Sequence, residues 1–225
     1  MRAMILAAGR GERLKPLTDQ LPKPMLEAGG KPLLQWHLEN LCRAGFREVV
    51  INLAYLGEKI QAFAGNGKRW GINIHYSQEP DGGLETGGGI LKALPLLGKT
   101  PFLVINGDIW SDYPLHKLRN HHCSGAHLVM VKNPPHHPDG DFSISNGLVY
   151  DGDNTALTFS GIGIYHPVLF SKQESSYFRL APLLRQAMQT KTVSGEKYNG
   201  RWFDIGSEER LNLLRKILDS EQKQL

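Results

Sequence analysis

Residues 1–26, MRAMILAAGRGERLKPLTDQLPKPML, decide the fold of this chain. Residues 3–8 are apolar and run directly into two glycines, Gly9 and Gly11. A short apolar run that ends at glycine is typical of a parallel strand buried on both faces. The glycines permit positive φ angles and let backbone N–H groups approach an oxyanion, so a side chain at Gly11 is expected to intrude on a bound phosphate. The stretch therefore predicts a buried strand followed by an anion-binding loop.

The cations of this loop indicate which anion it binds. The dinucleotide fingerprint needs a third glycine where this chain has Leu14, and no Gly-Lys-Ser/Thr of a P-loop follows, so the glycines alone would also suit a plain strand-to-helix turn. Arg13 and Lys23 change that balance, because a bidentate guanidinium and an ammonium on one loop match a polyphosphate. Pro22 and Pro24 stiffen the chain around Lys23.

The remaining sequence alternates between strand and helix patterns, which predicts an α/β fold. Further strands are predicted at residues 48–53, 72–76, 101–106, 126–132, 148–150 and 157–165. Helices are predicted at residues 32–44, 55–64, 86–97, 179–189 and 207–220, with Thr86 placed to cap the third. We expect one continuous domain, residues 1–225, with a mixed, mostly parallel central sheet between layers of helices.

Composition argues against several classes of protein. The chain has 225 residues and a net charge of +4, which suits small phosphorylated ligands and is too weak and scattered to indicate nucleic acid. Its two cysteines, Cys42 and Cys123, form neither a CxxC motif nor a disulfide framework. No apolar run reaches the length of a membrane span, and no signal peptide is recognisable, so we expect a cytoplasmic protein without membrane partners.

Four stretches resemble the motifs of the sugar-1-phosphate nucleotidylyltransferases. They are AAGRGERLKPLTDQLPKPML at residues 7–26, LETGGGILKAL at 84–94, VINGDIW at 104–110 and WFDIGS at 202–207. The resemblance covers nearly the whole chain and implies a Rossmann-like three-layer α/β/α nucleotidyltransferase fold. It also implies that residues 1–110 form the nucleotide-binding half and residues 111–225 the sugar-binding half.

Within that family the chain resembles one group of enzymes in particular. The short length, together with LETGGG, NPPHHPDGDF, LTFSGIGIYHP and RLAPLLRQAM, is most similar to uridylyltransferases that act on N-acetylmuramate 1-phosphate in bacterial cell-wall recycling. The implied partners are UTP and a sugar 1-phosphate, and we expect a monomer or a weak homo-oligomer. Guanylyltransferases for mannose 1-phosphate and cytidylyltransferases for choline phosphate remain alternatives, as does a non-catalytic sensor of sugar nucleotides.

The implied reaction needs charge neutralisation more than covalent catalysis. A phosphate oxygen of the sugar attacks the α-phosphorus of the nucleotide, so two anions must approach each other. Asp108 and Asp204, each at the end of a short apolar run, are the expected ligands of Mg²⁺, a hard cation that prefers carboxylates and phosphate oxygens. Lys23 is expected to stabilise the α-phosphate, and Arg13 to hold the β- and γ-phosphates.

The nucleoside is expected to lie between the first loop and the LETGGG segment. Ala8 and Gly9 precede the cations, and the consecutive glycines from Gly87 to Gly89 would suit a flat base or ribose lying against the backbone. Thr86 and Gly87 are therefore expected near the nucleoside. Glu79 is the candidate for contacting the base, although it would also suit an ordinary surface carboxylate.

The sugar-binding residues are less sharply indicated. Asn106, Asp141, Ser160 and Gly161 fall at strand ends and loops that could face the sugar. N-acetylmuramate carries a lactyl carboxylate, for which the chain offers four candidate cations, Arg179, Arg185, Lys197 and Arg201. The adjacent His136 and His137 lie in a Pro-rich segment and are expected to be solvent-exposed loop residues.

Overall fold

The computed structural model describes residues 1–152 and 156–222. In this part of the chain the strands are β1 (Ala3–Leu6), β2 (Glu27–Ala28), β3 (Lys31–Pro32), β4 (Glu48–Leu53), β5 (Asn73–Gln78), β6 (Phe102–Asn106), β7 (Ile109–Ser111), β8 (Ala126–Val131), β9 (Phe142–Ser145), β10 (Leu148–Asp151), β11 (Thr158–Tyr165), β12 (Val193–Tyr198) and β13 (Trp202–Asp204). The helices are α1 (Leu33–Arg43), α2 (Gly57–Ala64), α3 (Glu85–Leu97), α4 (Leu180–Gln189) and α5 (Glu208–Gln222).

A mixed sheet forms the centre of the molecule. Its strand order among the described residues is β5-β4-β1-β6-β11-β8-β12-β10-β9. The strands from β5 to β6 are all parallel, β11 is antiparallel to both of its neighbours, and β12 is parallel to β8. Only β11 and β10 therefore oppose the common direction of this sheet, so the prediction of a mixed, mostly parallel sheet is confirmed.

Side chains alternate across the sheet and build one apolar core on each face. In β1, Ala3 and Ile5 pack with α1 and α2, whereas Met4 packs on the opposite face with α3 and α4. Strand β6 repeats this alternation, with Leu103 on the first face and Val104 on the second. Because these strands are buried on both sides, they read in the sequence as continuous apolar runs. The result is the expected three-layer arrangement of helices, sheet and helices.

The chain reverses its direction of travel across the sheet at β1. It moves from β1 outward to β4 and β5, and then crosses back through α3 to β6 on the other side of β1. In open α/β sheets, ligands bind in the crevice outside the carboxyl ends of the strands at such a switch point. The loop after β1, which carries Gly9 and Gly11, lies at this edge.

A third apolar cluster joins the C-terminal helix to the loop after β1. From that loop and the turn that follows it come Leu14 and Leu26, and from α5 come Leu211, Leu214 and Leu218, all 3% exposed or less. The guanidinium of Arg215 donates to the backbone oxygen of Glu27 at 2.9 Å. Helix α5 thus supports the N-terminal loop, although almost the whole sequence separates them.

Several predicted elements need correction. Strands β2, β3, β7, β9, β12 and β13 were not predicted, because they are short or rich in polar residues. Leu84 takes the N-cap position of α3 without any side-chain cap, so Thr86 is the second residue of that helix and does not cap it.

None of the helices in residues 1–152 and 156–222 is long and apolar enough to cross a membrane.

The support that α5 gives to the fold can be tested with two neighbouring leucines. Leu214 is fully buried, whereas Leu213 is 50% exposed. We expect Leu214→Ala to lower the free energy of unfolding by about 2–5 kcal/mol, because it leaves a cavity in the third cluster. Leu213→Ala is the matched control and should change it by less than about 0.5 kcal/mol. Urea unfolding measures both, and equal effects would contradict the assigned packing.

Candidate active site

A cleft of about 390 Å³ opens at the carboxyl edge of the parallel strands. The loop after β1 forms one wall, residues at or after the ends of β4, β5 and β6 form most of the remainder, and Tyr177 from the second half of the chain completes it. Eight residues singled out from the sequence line it: Ala8, Gly9, Gly11, Lys23, Glu79, Thr86, Asn106 and Asp108. The fold therefore gathers at one site residues that are up to a hundred positions apart in the chain.

A buried chain of hydrogen bonds ties the loops of this edge together. The N–H of Ala7 donates to Oδ1 of Asn52 at 2.7 Å, and Nδ2 of Asn52 donates to Oε1 of Glu79 at 2.7 Å. The second oxygen, Oε2 of Glu79, accepts from the N–H of Leu84 at 2.8 Å. Asn52 is 3% exposed and Glu79 is 4% exposed. The alternative of Glu79 as an ordinary surface carboxylate is therefore wrong.

The two glycines of the first loop have different physical roles. Gly9 is exposed on the cleft, and a Cβ built on it would meet no atom within 4 Å. Gly11 has a φ of +68°, and a Cβ there would lie 2.9 Å from Cγ2 of the buried Thr18. The expectation that a side chain at Gly11 meets bound phosphate needs correction, because it would first meet Thr18. Gly9 is the position that keeps the cleft open.

Lys23 and Asp108 form an ion pair on the cleft wall. Nζ of Lys23 lies 2.6 Å from Oδ2 of Asp108, and their side chains are 12% and 37% exposed. The packing of Gly107 explains this proximity, since a Cβ there would come within 2.5 Å of the Leu6 backbone oxygen and 3.1 Å of Pro24. Glycine lets the end of β6 approach both segments, and Pro24 then brings its neighbour Lys23 beside Asp108.

Asp204 reaches the same region through the two-stranded ribbon of β7 and β13. It pairs in register with Ile109, and the N–H of Ile205 donates to the backbone oxygen of Asp108 at 2.8 Å. The backbones of the two predicted metal ligands are therefore neighbours. Asp204 does not line the cleft itself, and its exposed fraction is 30%.

The carboxylate of Asp204 has two partners that sequence reasoning missed. Nε2 of His136 lies 3.0 Å from Oδ1 of Asp204, and Arg210 of α5 donates to Oδ2. Next to it, His137 lies 3.2 Å from Oδ1 of Asp141. Both histidines lie in a loop with side chains about 40% exposed, as expected, and each also contacts an aspartate. Nothing in the local sequence signals Arg210, because its role depends on how α5 docks.

His37 of α1 is buried close to Asp108. Burial lowers the pKa of His37 to about 4, and the nearby Asp108 charge and the backbone groups of Ile109 and Gly107 oppose this only in part. The imidazole is therefore neutral at neutral pH. Its Nε2 has no hydrogen-bond partner within the described residues. An uncharged imidazole thus lies under the turn that carries Asp108.

The glycines of LETGGG are explained by packing against protein. A Cβ at Gly87 would lie 2.3 Å from the ring of Phe178, and one at Gly88 would lie 2.1 Å from the backbone oxygen of Ser176. A Cβ at Gly89 would lie 2.5 Å from Oε1 of Glu79. All three are buried, and Gly87 is absent from the cleft lining. The expectation that this run lies against a flat base is thus corrected.

The residues predicted to face the sugar lie on the bulged part of β11 or beside it. Gly161 has a φ of +79° and packs so closely on Asn106 that a Cβ would lie 2.7 Å from its Nδ2. The N–H of Phe159 donates to Oδ2 of Asp141 at 2.8 Å, and Oγ of the buried Ser160 accepts from the N–H of Ile162. Among Asn106, Asp141, Ser160 and Gly161, only Asn106 lines the cleft.

The cations chosen from the sequence are distributed more widely than expected. Arg13 is exposed and does not line the cleft, whereas the neighbouring Arg10 does. Among the candidates for a lactyl carboxylate, Arg185 pairs with Asp151 at 2.7 Å and Arg201 with Asp112 at 3.0 Å. The remaining two are Arg179, whose side chain is 79% exposed and 3.7 Å from Glu85, and the exposed Lys197.

The donor set beside the cleft suits Mg²⁺. Within residues 1–152 and 156–222 no cluster of three or more His, Cys, Asp or Glu side chains could hold a metal ion alone. Asp108, in the turn before β7, and Asp204, in β13, instead offer two carboxylates on neighbouring backbone segments. Mg²⁺ keeps several waters and is commonly bound by one or two carboxylates together with substrate phosphates, so these residues fit it.

Comparisons with known proteins agree with this geometry. A family model described as "Nucleotidyl transferase" matches residues 2–160. N-acetylmuramate alpha-1-phosphate uridylyltransferase from Neisseria meningitidis is 53% identical over 222 residues, which cover 94% of this chain and 95% of that protein. The protein of the same name from Caulobacter vibrioides is 31% identical, with 91% of each chain covered.

A solved structure supports the fold independently of sequence. The crystal structure of a UDP-glucose pyrophosphorylase complexed with UDP-glucose has a TM-score of 0.78 and covers 98% of both chains at 19% identity. This structural likeness shows the fold, whereas the family model and the two relatives show the family. The chain belongs to the nucleotidyl transferase family.

Proposed function

We propose that this protein transfers UMP from UTP to N-acetylmuramic acid 1-phosphate, which yields UDP-N-acetylmuramic acid and pyrophosphate. The observation that carries the proposal is the 53% identity to a relative of that name, because it extends over 94% of the chain. The cleft at the switch point, with its glycine loop, paired Lys23 and Asp108 and neighbouring Asp204, supports it. A role in cell-wall recycling in the cytoplasm would follow from this product.

The reaction needs no proton transfer. A phosphate oxygen of the sugar 1-phosphate forms a bond to the α-phosphorus of UTP, and the bond from that phosphorus to the bridging oxygen breaks. Pyrophosphate leaves with the electron pair. Because the nucleophile is already an anion, the protein has to position the phosphates and neutralise their charge.

Lys23 is the residue we assign to the α-phosphate. Its ammonium is paired with Asp108 on the cleft wall, within reach of incoming phosphate oxygens. Arg13 and the cleft-lining Arg10 are assigned to the β- and γ-phosphates and the leaving pyrophosphate. The neutral His37 beneath Asp108 adds no competing positive charge.

Asp108 and Asp204 would hold the Mg²⁺ that the family resemblance implies. When bound, such an ion supplies charge neutralisation between the two phosphates. His136 and Arg210 would hold the carboxylate of Asp204 in a fixed orientation.

Glu79, Thr86, Ala8 and Gly9 are assigned to the nucleoside end of the cleft, with Gly87 supporting that wall from beneath. Both oxygens of Glu79 already accept a hydrogen bond, so its contribution to base choice includes fixing the Leu84 backbone. Asn106 is assigned to the sugar directly, whereas Asp141, Ser160 and Gly161 shape the neighbouring bulge.

The choice of sugar is the first test of this function. With UTP and Mg²⁺, we expect N-acetylmuramic acid 1-phosphate to exceed N-acetylglucosamine 1-phosphate in kcat/KM by about one to two orders of magnitude. The reason is that a charge-assisted contact to the lactyl carboxylate contributes about 1.5–3 kcal/mol. Pyrophosphate release measures both rates. Equal rates, or faster turnover with GTP or CTP, would contradict the proposal.

The role of Asp108 is tested by removing its charge. Asp108→Asn should lower kcat by about a hundredfold or more at saturating Mg²⁺, because the site must stabilise charge that develops between phosphates. The melting temperature should stay close to that of the wild type. The control is Asp219→Asn, at an exposed position of α5, which should leave kcat unchanged. Retention of more than half of the activity by Asp108→Asn would refute the assignment.

The two loop glycines give opposite predictions. Gly9→Val should weaken UTP binding with little change in melting temperature, because the side chain enters open space in the cleft. Gly11→Val should lower the melting temperature, because valine strains a φ of +68° and presses on Thr18. Calorimetric titration with UTP and thermal unfolding separate the effects. The same response from both variants would contradict the different roles of these glycines.

A further inference from the structure

A short segment of the second half of the chain lies across the start of α3. We call residues 175–178 the strap. The N–H of Gly88 donates to the backbone oxygen of Phe178 at 3.2 Å. Side chains at Gly87 and Gly88 would come within 2.3 Å of the Phe178 ring and 2.1 Å of the Ser176 oxygen. Gly87 and Gly88, which we call the glycine seat, therefore let the strap lie directly on the helix.

The seated strap carries Tyr177 to the edge of the cleft. Tyr177 lines the cleft and is nevertheless 61% exposed. Ser175 fixes its backbone, because Oγ donates to the Tyr177 oxygen at 3.0 Å and accepts from the Tyr177 N–H at 3.1 Å. The phenol lies 3.4 Å from Oε1 of Glu85. A large aromatic ring is thus held in place with most of its surface uncovered.

The position of Tyr177 identifies the end of the cleft that it serves. Glu85 follows Leu84, whose N–H donates to Glu79 at the end of β5. Lys23 and Asp108 lie at the end of β6, three strand spacings away in the order β5-β4-β1-β6. At about 4.8 Å per spacing, the two ends are roughly 14 Å apart. Tyr177 therefore lies at the nucleoside end and away from the reacting phosphates.

We infer that Tyr177 covers the nucleoside of bound UTP with its ring and so contributes to nucleotide affinity. This inference rests on the proposed function, since it assumes that UTP occupies the cleft. A rigid ring with an open face packs well on a planar base and needs no hydrogen-bond match. Phe178 and Ser176 pack on Gly87 and Gly88 and thereby orient Tyr177. These two glycines therefore affect nucleotide binding indirectly, because they position the strap.

The test compares UTP binding to four forms of the full-length protein by calorimetric titration. Tyr177→Ala should weaken UTP binding about tenfold, because the aromatic cover is lost. Tyr177→Phe should stay within twofold of the wild type, since it keeps the ring. Tyr150→Ala is the control, because it removes another exposed tyrosine that does not line the cleft.

Two further probes decide which part of the substrate Tyr177 serves. Inorganic triphosphate should bind Tyr177→Ala as well as it binds the wild type, and the KM for the sugar 1-phosphate should stay within twofold. Equal UTP affinity of Tyr177→Ala and wild type would overturn the inference, as would an equal loss in Tyr177→Phe. A loss confined to triphosphate or to the sugar 1-phosphate would overturn it as well.

Substitution of Gly88 provides an independent test of the inference. Gly88→Ala should displace the strap and weaken UTP binding to a similar degree, and adding Tyr177→Ala should cause no further loss. Additive losses would contradict the seat. If the wild type fails to bind UTP, the proposed function and the inference fall together. If the wild type binds UTP and Tyr177→Ala binds it equally well, only the inference fails.

Discussion

The buried hydrogen bonds among Ala7, Asn52, Glu79 and Leu84 are the constraint on which the cleft depends. They join the end of β4 to the loops that follow β1 and β5. Because Asn52 and Glu79 are almost fully buried, loss of either side chain would leave polar groups without partners, at a cost of about 1–3 kcal/mol each. Gly89 packs on this chain of bonds, and therefore connects it to α3.

Close packing at glycine positions brings the phosphate end of the cleft together. Gly107 lets the end of β6 lie against Leu6 and Pro24, and this contact places Lys23 beside Asp108. From the opposite side, α5 packs on Leu14 and Leu26, and the ribbon of β7 and β13 aligns Asp204 with the residue after Asp108. The last fifth of the chain thus completes a site that begins in the first loop.

Close packing at glycine positions also explains how the nucleoside end of the cleft is built. Gly87 and Gly88 accommodate the strap, which crosses from the second half of the chain and holds Tyr177 at the cleft edge. Each half of the molecule therefore contributes to both ends of the cleft.

The sequence alone determined the α/β class and the mostly parallel sheet, because buried strands leave local patterns. Together with the family resemblance, it also indicated eight of the residues that line the cleft. Tertiary structure decided which distant segments contact each other at the site. Sequence patterns attributed the glycines of LETGGG to a bound base and indicated no partner for His136, yet these glycines pack against Phe178, Ser176 and Glu79, and His136 contacts Asp204. Asn52, Arg210 and Tyr177 were missed for the same reason. The contacts of Asn52 and Tyr177 join residues 27 and 92 positions apart, and the contact of Arg210 with Asp204 depends on how α5 docks, so no local pattern encodes them.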